Sequence, residues 1–235
     1  MLARAFRADL LKMKGKGLWF LVLLAPLGLI AMQALNYGLR YDYLMQQYAD
    51  DQWGNLFHNL MGFIPIALLL GVTILGSMTA SIEHQLSSWK QLLALPISRY
   101  SVYASKFMVV VLMLTMACIL LMFGTVVLGL GLGFEASIPV AKLLKMSFFP
   151  FIAAWPLLAF VLWLCLTFKN QSMPITIGVV CAVLAFSPVD ERLPISWPYA
   201  AYQSANSLLF LGAGLVCGVI VFAIGSIHFN KKDVS

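Results

Sequence analysis

Residues 107–134 read FMVVVLMLTMACILLMFGTVVLGLGLGF, and these 28 side chains carry no charge between Lys106 and Glu135. A helix needs about 20 predominantly apolar residues to cross the hydrocarbon core of a bilayer, which is about 30 Å thick. The stretch therefore predicts a membrane-spanning helix near 107–133.

The composition of the whole chain also fits a bilayer. Of its 235 residues, 62% are apolar and 10% are charged, whereas soluble domains carry about 25% charged residues. The net charge of +6 does not require nucleic acid, because basic residues collect on one side of membrane proteins. We therefore exclude a soluble enzyme, a disordered chain and a nucleic-acid-binding domain.

Five further uncharged runs of 20 or more residues accompany the first one. They predict an all-α integral membrane protein, a single transmembrane domain over 1–235, with six spans near 18–37, 58–81, 107–133, 146–168, 173–188 and 207–229. The fifth span is the shortest and lies between Pro174 and Pro188. Prolines and aromatic residues in 193–206 predict an interfacial or partly re-entrant segment before the last span.

The distribution of basic residues predicts the orientation. With the N-terminus inside, the inner segments hold 11 lysines and arginines and the outer segments hold 4. Basic residues favour the cytoplasmic side, so both termini are predicted to be cytoplasmic.

Residues 1–16 predict an amphipathic helix that lies in the membrane interface before the first span. Its apolar residues recur at helical spacing: Leu2, Phe6, Leu10 and Met13. Two interpretations remain open at this point. The helix is either an elbow that also contacts a cytoplasmic partner or a plain anchor of the topology.

The loop between the second and third spans, 82–98, predicts a short helix followed by a break. Pro96 ends this helix, and Ser98 can cap the next one. Its apolar residues again follow helical spacing: Ile82, Leu86, Trp89 and Leu93. Either this apolar stripe contacts a cytoplasmic partner, or the helix lies flat on the membrane with Trp89 at the headgroups.

Several features of membrane enzymes and carriers are missing from the sequence. No charged residue lies in the middle of a span, no catalytic or phosphate-loop motif is present, and no three-helix unit is repeated. Ion-coupled carriers usually need ionisable groups at that depth. The four cysteines lie in apolar runs without metal-ligand spacing, which predicts neither disulfides nor a metal site. In the last span, Gly214 and Gly218 form a small-xxx-small pair that permits close helix packing.

Residues 83–106, EHQLSSWKQLLALPISRYSVYASK, resemble the first cytoplasmic loop of ABC-2-type transporter permeases. The matching positions are Glu83, Trp89, Lys90, Leu93, Leu95, Pro96, Ser98, Arg99 and Lys106. The first outer loop, residues 36–60, and Pro65 are similar to a narrower branch. That branch contains the permease subunits of lantibiotic self-protection exporters and related bacteriocin transporters.

The resemblance implies a mechanism and a set of partners. A separate ATP-binding cassette subunit would bind ATP and Mg²⁺, so this chain would be a transport subunit without enzymatic activity or a cofactor of its own. A second permease, the same or related, would complete the transporter in the bacterial cytoplasmic membrane. Its substrate would be an amphipathic antimicrobial peptide expelled from the lipid bilayer. The alternatives are an ABC-2 exporter of another antibiotic, drug or small molecule and, more remotely, a secondary carrier, a channel or a membrane enzyme.

The resemblance also assigns roles to segments. Residues 1–16 would be the connecting helix, and 82–98 would be the segment that couples the permease to the ATPase. The coupling residues would be Glu83, Leu86, Trp89, Lys90, Leu93, Pro96 and Arg99. Glu83 and Arg99 flank the helix, where they would pair with charges on the ATPase or with each other. No residue of the substrate pathway is implied.

The predicted topology is testable by labelling single cysteines in intact cells, in a background without the four native cysteines. Because the predicted outer segments contain Asp50 and Asp190, cysteines at these positions should react with an impermeant reagent. Cysteines at Ser88 and Ser235 should react only after the membrane is opened. Labelling of Ser88 from outside would contradict the arrangement.

Overall fold

Helices make up all the regular structure in the residues that the computed structural model describes, 2–85, 98–186 and 190–231. The all-α prediction is confirmed for this part of the chain. In chain order the helices are α1 (Leu2–Met13), α2 (Leu18–Leu39), α3 (Tyr41–Gln47), α4 (Gln52–Met61), α5 (Ile64–Gln85), α6 (Arg99–Gly131), α7 (Val140–Ala153), α8 (Trp155–Thr167), α9 (Ser172–Leu184), α10 (Trp197–Gln203) and α11 (Ser207–Lys231).

Four of the described helices, α2, α5, α6 and α11, are long and apolar enough to cross a membrane, and the bent pair α7–α8 together forms a fifth candidate. Helix α9 has 13 residues. At a rise of about 1.5 Å per residue it is about 20 Å long, shorter than the hydrocarbon core. The described helices thus give four or five spans by length, and the count of six stays a prediction.

One helix begins at another position than the sequence predicts. Helix α5 begins at Ile64 rather than near 58, because α4 forms a separate helix in front of it. The side chain of Asp51 caps α4 by accepting a 2.9 Å hydrogen bond from the Gly54 amide. Helix α6 begins at Arg99, ahead of the uncharged stretch that starts at 107, as the predicted cap requires. That cap is confirmed: the Ser101 amide donates to Ser98 Oγ at 3.2 Å.

The predicted span 146–168 is a broken helix. Helices α7 and α8 meet at Ala154 and are inclined to each other by 45°. Pro150 and Pro156 lie on either side of this break. Proline has no amide hydrogen and clashes with the preceding turn, so the two residues account for the bend.

Helix α11 packs closely against this bend through the two glycines that the sequence marks. A Cβ atom on Gly214 would lie 2.7 Å from Cα of Ala153, and a Cβ atom on Gly218 would lie 2.8 Å from Cβ of Trp155. These distances are shorter than van der Waals contact. Glycine is therefore what allows the two backbones to approach.

The contacts between helices define two ends of the bundle. At one end, called the proximal end, lie α1, the last turn of α5, the first turn of α6 and the last turn of α11, where Arg99 Nη1 donates to the Asn230 carbonyl at 3.2 Å. At the other, called the distal end, lie α3, α4 and α10, where Gln203 is 3.3 Å from His58 Nδ1. The outer faces of α2 and α11 between these ends expose leucine, valine and isoleucine side chains, as expected for contact with lipid.

The packing at the bend predicts the effect of a single methyl group. Gly214→Ala should lower the free energy of unfolding in detergent by about 1–3 kcal/mol, the usual cost of overpacking, because backbone atoms must move apart. The unfolding temperature should fall accordingly. Gly212→Ala is the matched control, since no atom lies within 4 Å of its added Cβ. Equal unfolding temperatures for the two variants would contradict the close approach.

Candidate functional site

Four charged side chains meet at the proximal end, and together we call Asp9, Lys12, Glu83 and Lys106 the buried ion cluster. The Lys106 ammonium donates to Asp9 Oδ1 at 2.7 Å and to Glu83 Oε1 at 3.0 Å. Lys12 donates to the same Glu83 oxygen at 2.8 Å. Ser105 donates a short hydrogen bond to the other oxygen of Asp9. The cluster thus links α1, α5 and α6.

The cluster is enclosed by protein on nearly all sides. The side chains of Glu83 and Lys106 are 0% and 1% exposed, whereas Lys12 is 36% exposed. A buried charge is tolerated when an opposite charge and hydrogen bonds replace its water. Two formal negative and two formal positive charges stand together here, so each ion has a partner of opposite sign.

Local sequence explains why these side chains converge. Asp9 and Lys12 are three residues apart on α1, so their side chains lie on the same face of the helix, about one turn apart. Met13, on the same helix, is fully buried. It belongs to the large cluster of buried apolar side chains that includes Val102 and Tyr103 of α6, which we call the main core. This apolar packing holds α1 against α6 and brings Asp9 to Lys106.

Sequence reasoning missed Asp9 and Lys12 as members of a site. Asp9 is the sole acidic residue in 1–16. It precedes Met13 by four positions and follows Leu2 by seven, so it lies beside the apolar stripe of α1. A single carboxylate beside the apolar stripe of a basic helix is the sequence signal from which a buried ion pair could have been predicted. Lys106 was marked by the sequence motif, but without its partners.

Most of the predicted coupling residues lie outside the described part of the chain: Leu86, Trp89, Lys90, Leu93 and Pro96. The two flanking residues are described. Glu83 lies in the last turn of α5, inside the buried ion cluster rather than on a surface open to a partner. Arg99 begins α6 and contacts the end of α11.

The distal end is closed by aromatic residues and amides. Trp53 of α4 is buried against Gly129 of α6, where any side chain would collide with the indole ring. Its Nε1 donates to the Glu135 carbonyl at 3.0 Å. Asn55 Nδ2 donates to the Tyr37 hydroxyl at 3.0 Å. These contacts fix α4 across the end of α2 and α6.

Tyr202 of α10 also lies at the distal end, with the Lys145 ammonium 5.8 Å from its ring centroid. Burial, and to a smaller extent the negative charge of Asp51, raises the pKa of the Tyr202 phenol above its usual value. The phenol therefore stays neutral at physiological pH.

An apolar cavity of about 400 Å³ lies between α2, α5 and α6. Small residues leave this space, among them Ala25, Gly28 and Gly71. Ser147 of α7 also lines it, and its buried hydroxyl has no hydrogen-bond partner among the described residues. Within the described residues there is no group of histidine, cysteine or carboxylate side chains arranged to hold a metal ion.

The buried ion cluster predicts different costs for removing two lysines. Lys106→Met should destabilise the protein by about 3 kcal/mol or more, because it leaves two buried carboxylates without their main counter-ion. Lys142→Met is the control: its 3.6 Å pair with Asp51 is more than half exposed, and such pairs contribute about 1 kcal/mol or less. Thermal unfolding in detergent measures both, and similar unfolding temperatures would show that the cluster contributes little to stability.

Comparison with known proteins gives one family. Residues 5–185, most of the chain, match the family model described as ABC-2 family transporter protein. No curated protein and no solved structure matches the chain. The matched region extends from α1 through α9 and includes all four residues of the buried ion cluster. The chain therefore belongs to the ABC-2 family of transporter proteins, as a multi-pass membrane permease.

Proposed function

We propose that this permease is the membrane subunit of an ATP-driven exporter of an amphipathic antimicrobial peptide, a lantibiotic or a related bacteriocin. By expelling the peptide, the exporter would protect the cell that produces this peptide. The observation that carries the transport function is the family match over residues 5–185. The peptide substrate rests on the similarity of residues 36–60 and Pro65 to lantibiotic self-protection permeases.

The proposed mechanism divides the work between two kinds of subunit. A separate ATP-binding cassette ATPase holds ATP and Mg²⁺, and its closure moves the cytoplasmic end of the permease. Residues 82–98 are proposed to be the contact with that ATPase. They connect α5 to α6 along the chain, so a force on this segment acts on both long helices. The proximal end would then face the cytoplasm.

The substrate class agrees with the apolar character of the bundle. An amphipathic peptide concentrates in the membrane interface, so it reaches an exporter from the lipid. The cavity between α2, α5 and α6 has the size of ordinary ligand pockets, about 300–1,000 Å³, and its lining is almost entirely apolar. It would hold several apolar side chains of a peptide. A small apolar drug would also fit, which makes export of a small molecule the competing function.

A second permease is part of the proposal. The sequence has no internal repeat, so one chain supplies half of a two-fold pathway. We expect two permease chains, identical or related, with two ATPase subunits in the bacterial cytoplasmic membrane.

Co-expression with a candidate ATP-binding cassette ATPase from the same organism tests this function. The two proteins should co-purify, ATP hydrolysis should depend on the ATPase, and the assembled set should protect cells against an amphipathic peptide. Cells should then be challenged with lantibiotics, other bacteriocins and small apolar antibiotics in parallel. Protection against small molecules without protection against any peptide would overturn the peptide assignment, and the absence of an ATPase partner would overturn the exporter.

The coupling segment generates a prediction for Trp89. A tryptophan buried in an interface commonly loses about 2 kcal/mol or more of binding free energy on truncation. Trp89→Ala should therefore reduce co-purification of the ATPase, stimulated ATP hydrolysis and peptide resistance, at normal membrane levels.

The matched control is Trp19→Ala, which removes an exposed indole from the second residue of α2 at the same end of the bundle. This variant should keep full activity. If Trp89 instead lies on lipid, as the alternative for this loop holds, the two variants should behave alike.

A further inference from the structure

We propose that the buried ion cluster fixes α1 to α5 and α6 as one rigid unit, so that α1 moves with the helices that the ATPase displaces. Asp9, Lys12, Glu83 and Lys106 would then be positioning residues for energy coupling. This inference rests on the proposed function, because it assigns a task to residues within the same transport cycle.

The position of Glu83 in the chain is the first argument. It lies in the last turn of α5, at the start of the proposed coupling segment 82–98, and its carboxylate accepts from Lys12 of α1 and Lys106 of α6. A displacement of the end of α5 therefore acts on two other helices through hydrogen bonds of 2.8 Å and 3.0 Å. Charge-assisted bonds of this length are among the stronger contacts in proteins.

The connection between α1 and α2 is the second argument. Gly15 and Gly17 have φ values of 81° and 76°, a region that glycine enters at little cost. Both glycines lie in the short link between the end of α1 at Met13 and the start of α2 at Leu18. Glycine has more accessible backbone conformations than any other residue, so we infer that the contacts of α1 with α5 and α6 fix its position more than this link does.

Apolar packing alone leaves the register of α1 open. Phe6, Leu10 and Met13 contact the main core, and apolar contacts are non-directional. The Lys106 ammonium, by contrast, requires a carboxylate at hydrogen-bond distance. It finds Asp9, whose second oxygen accepts from Ser105. Directional bonds at Asp9 thus select one register of α1 on α6.

Energetics separate a coupling role from a purely stabilising one. Neutral side chains that replace a whole buried ion cluster often leave stability unchanged or increase it, while removal of one partner is costly. A cluster that served stability alone would be replaceable as a set. A cluster that fixes register would not be, because neutral side chains lack its strong directional bonds.

The main test replaces the three most buried ions together, as Asp9→Asn, Glu83→Gln and Lys106→Met in one chain. The readouts are membrane level, co-purified ATPase and the stimulation of ATP hydrolysis by peptide in the reconstituted complex. The variant should insert and bind the ATPase but lose stimulation by about fivefold or more, the lower range of ordinary coupling energies. Lys106→Arg, which keeps a positive charge opposite Asp9 and Glu83, should retain more stimulation than the triple variant. Full stimulation in the triple variant would overturn the proposal.

A second variant covers the case in which the triple variant does not fold. Lys12 is partly exposed, so Lys12→Gln should be tolerated while one bond between α1 and Glu83 is lost. The matched control is Lys14→Gln, at an exposed position just past the end of α1. Lys12→Gln should reduce stimulation at unchanged ATPase binding, and Lys14→Gln should not. Equal stimulation in these two variants and the original chain would refute the inference.

These outcomes are distinct from a failure of the proposed function. If the original chain neither binds nor stimulates the ATPase, the exporter assignment itself is wrong. If the original chain couples and the cluster variants couple equally well, the role given to α1 is wrong and the exporter stands.

Discussion

The Lys106 ammonium is the constraint on which the proximal end depends. It is 1% exposed, so it has exchanged its water for Asp9 and Glu83, and no uncharged neighbour would compensate for that loss. The two carboxylates belong to α1 and α5 and lie more than 70 positions apart in the sequence. A single residue about two turns into α6 therefore determines where both α1 and the end of α5 lie. A fourth ion, the partly exposed Lys12, pairs with Glu83, so the cluster holds two negative and two positive charges.

Elsewhere in the bundle, close contacts at small side chains, and not charges, determine how the helices pack. Lipid chains are as apolar as leucine, so helices in a bilayer associate mainly through close contact of small residues. Gly214 admits the backbone at Ala153, Gly178 admits Thr73, and Gly129 admits the ring of Trp53. Each contact joins elements distant in sequence. The outward faces of α2 and α11 keep large apolar side chains for lipid.

The two ends of the molecule are therefore built for different tasks. Strong, directional ion pairs hold the proximal end, where a partner that hydrolyses ATP is proposed to act. Aromatic rings and neutral amides close the distal end around Trp53 and Tyr37. An apolar cavity lies between them. Such a division suits the proposed transport cycle, in which an ATPase acts at one end and an amphipathic peptide moves along the bundle.

The sequence alone determined the membrane character, the all-α class and the cap at Ser98, because hydropathy and capping act over short distances along the chain. It marked the spacing of Gly214 and Gly218, but only the tertiary structure shows that they pack against Ala153 and Trp155. It also marked Glu83 and Lys106 through a family motif. It did not separate α4 from α5, because the spans were placed by the length of the uncharged runs, although Gly62 and Pro65 are the residues typical of a helix end and a helix start. Nor did it place Asp9 beside Lys106, because an ion pair between residues 97 positions apart leaves no local pattern. That pairing was decided by the tertiary structure. The packing of α1 on α6 removes both charges from water, and a buried charge is stable only beside a charge of opposite sign.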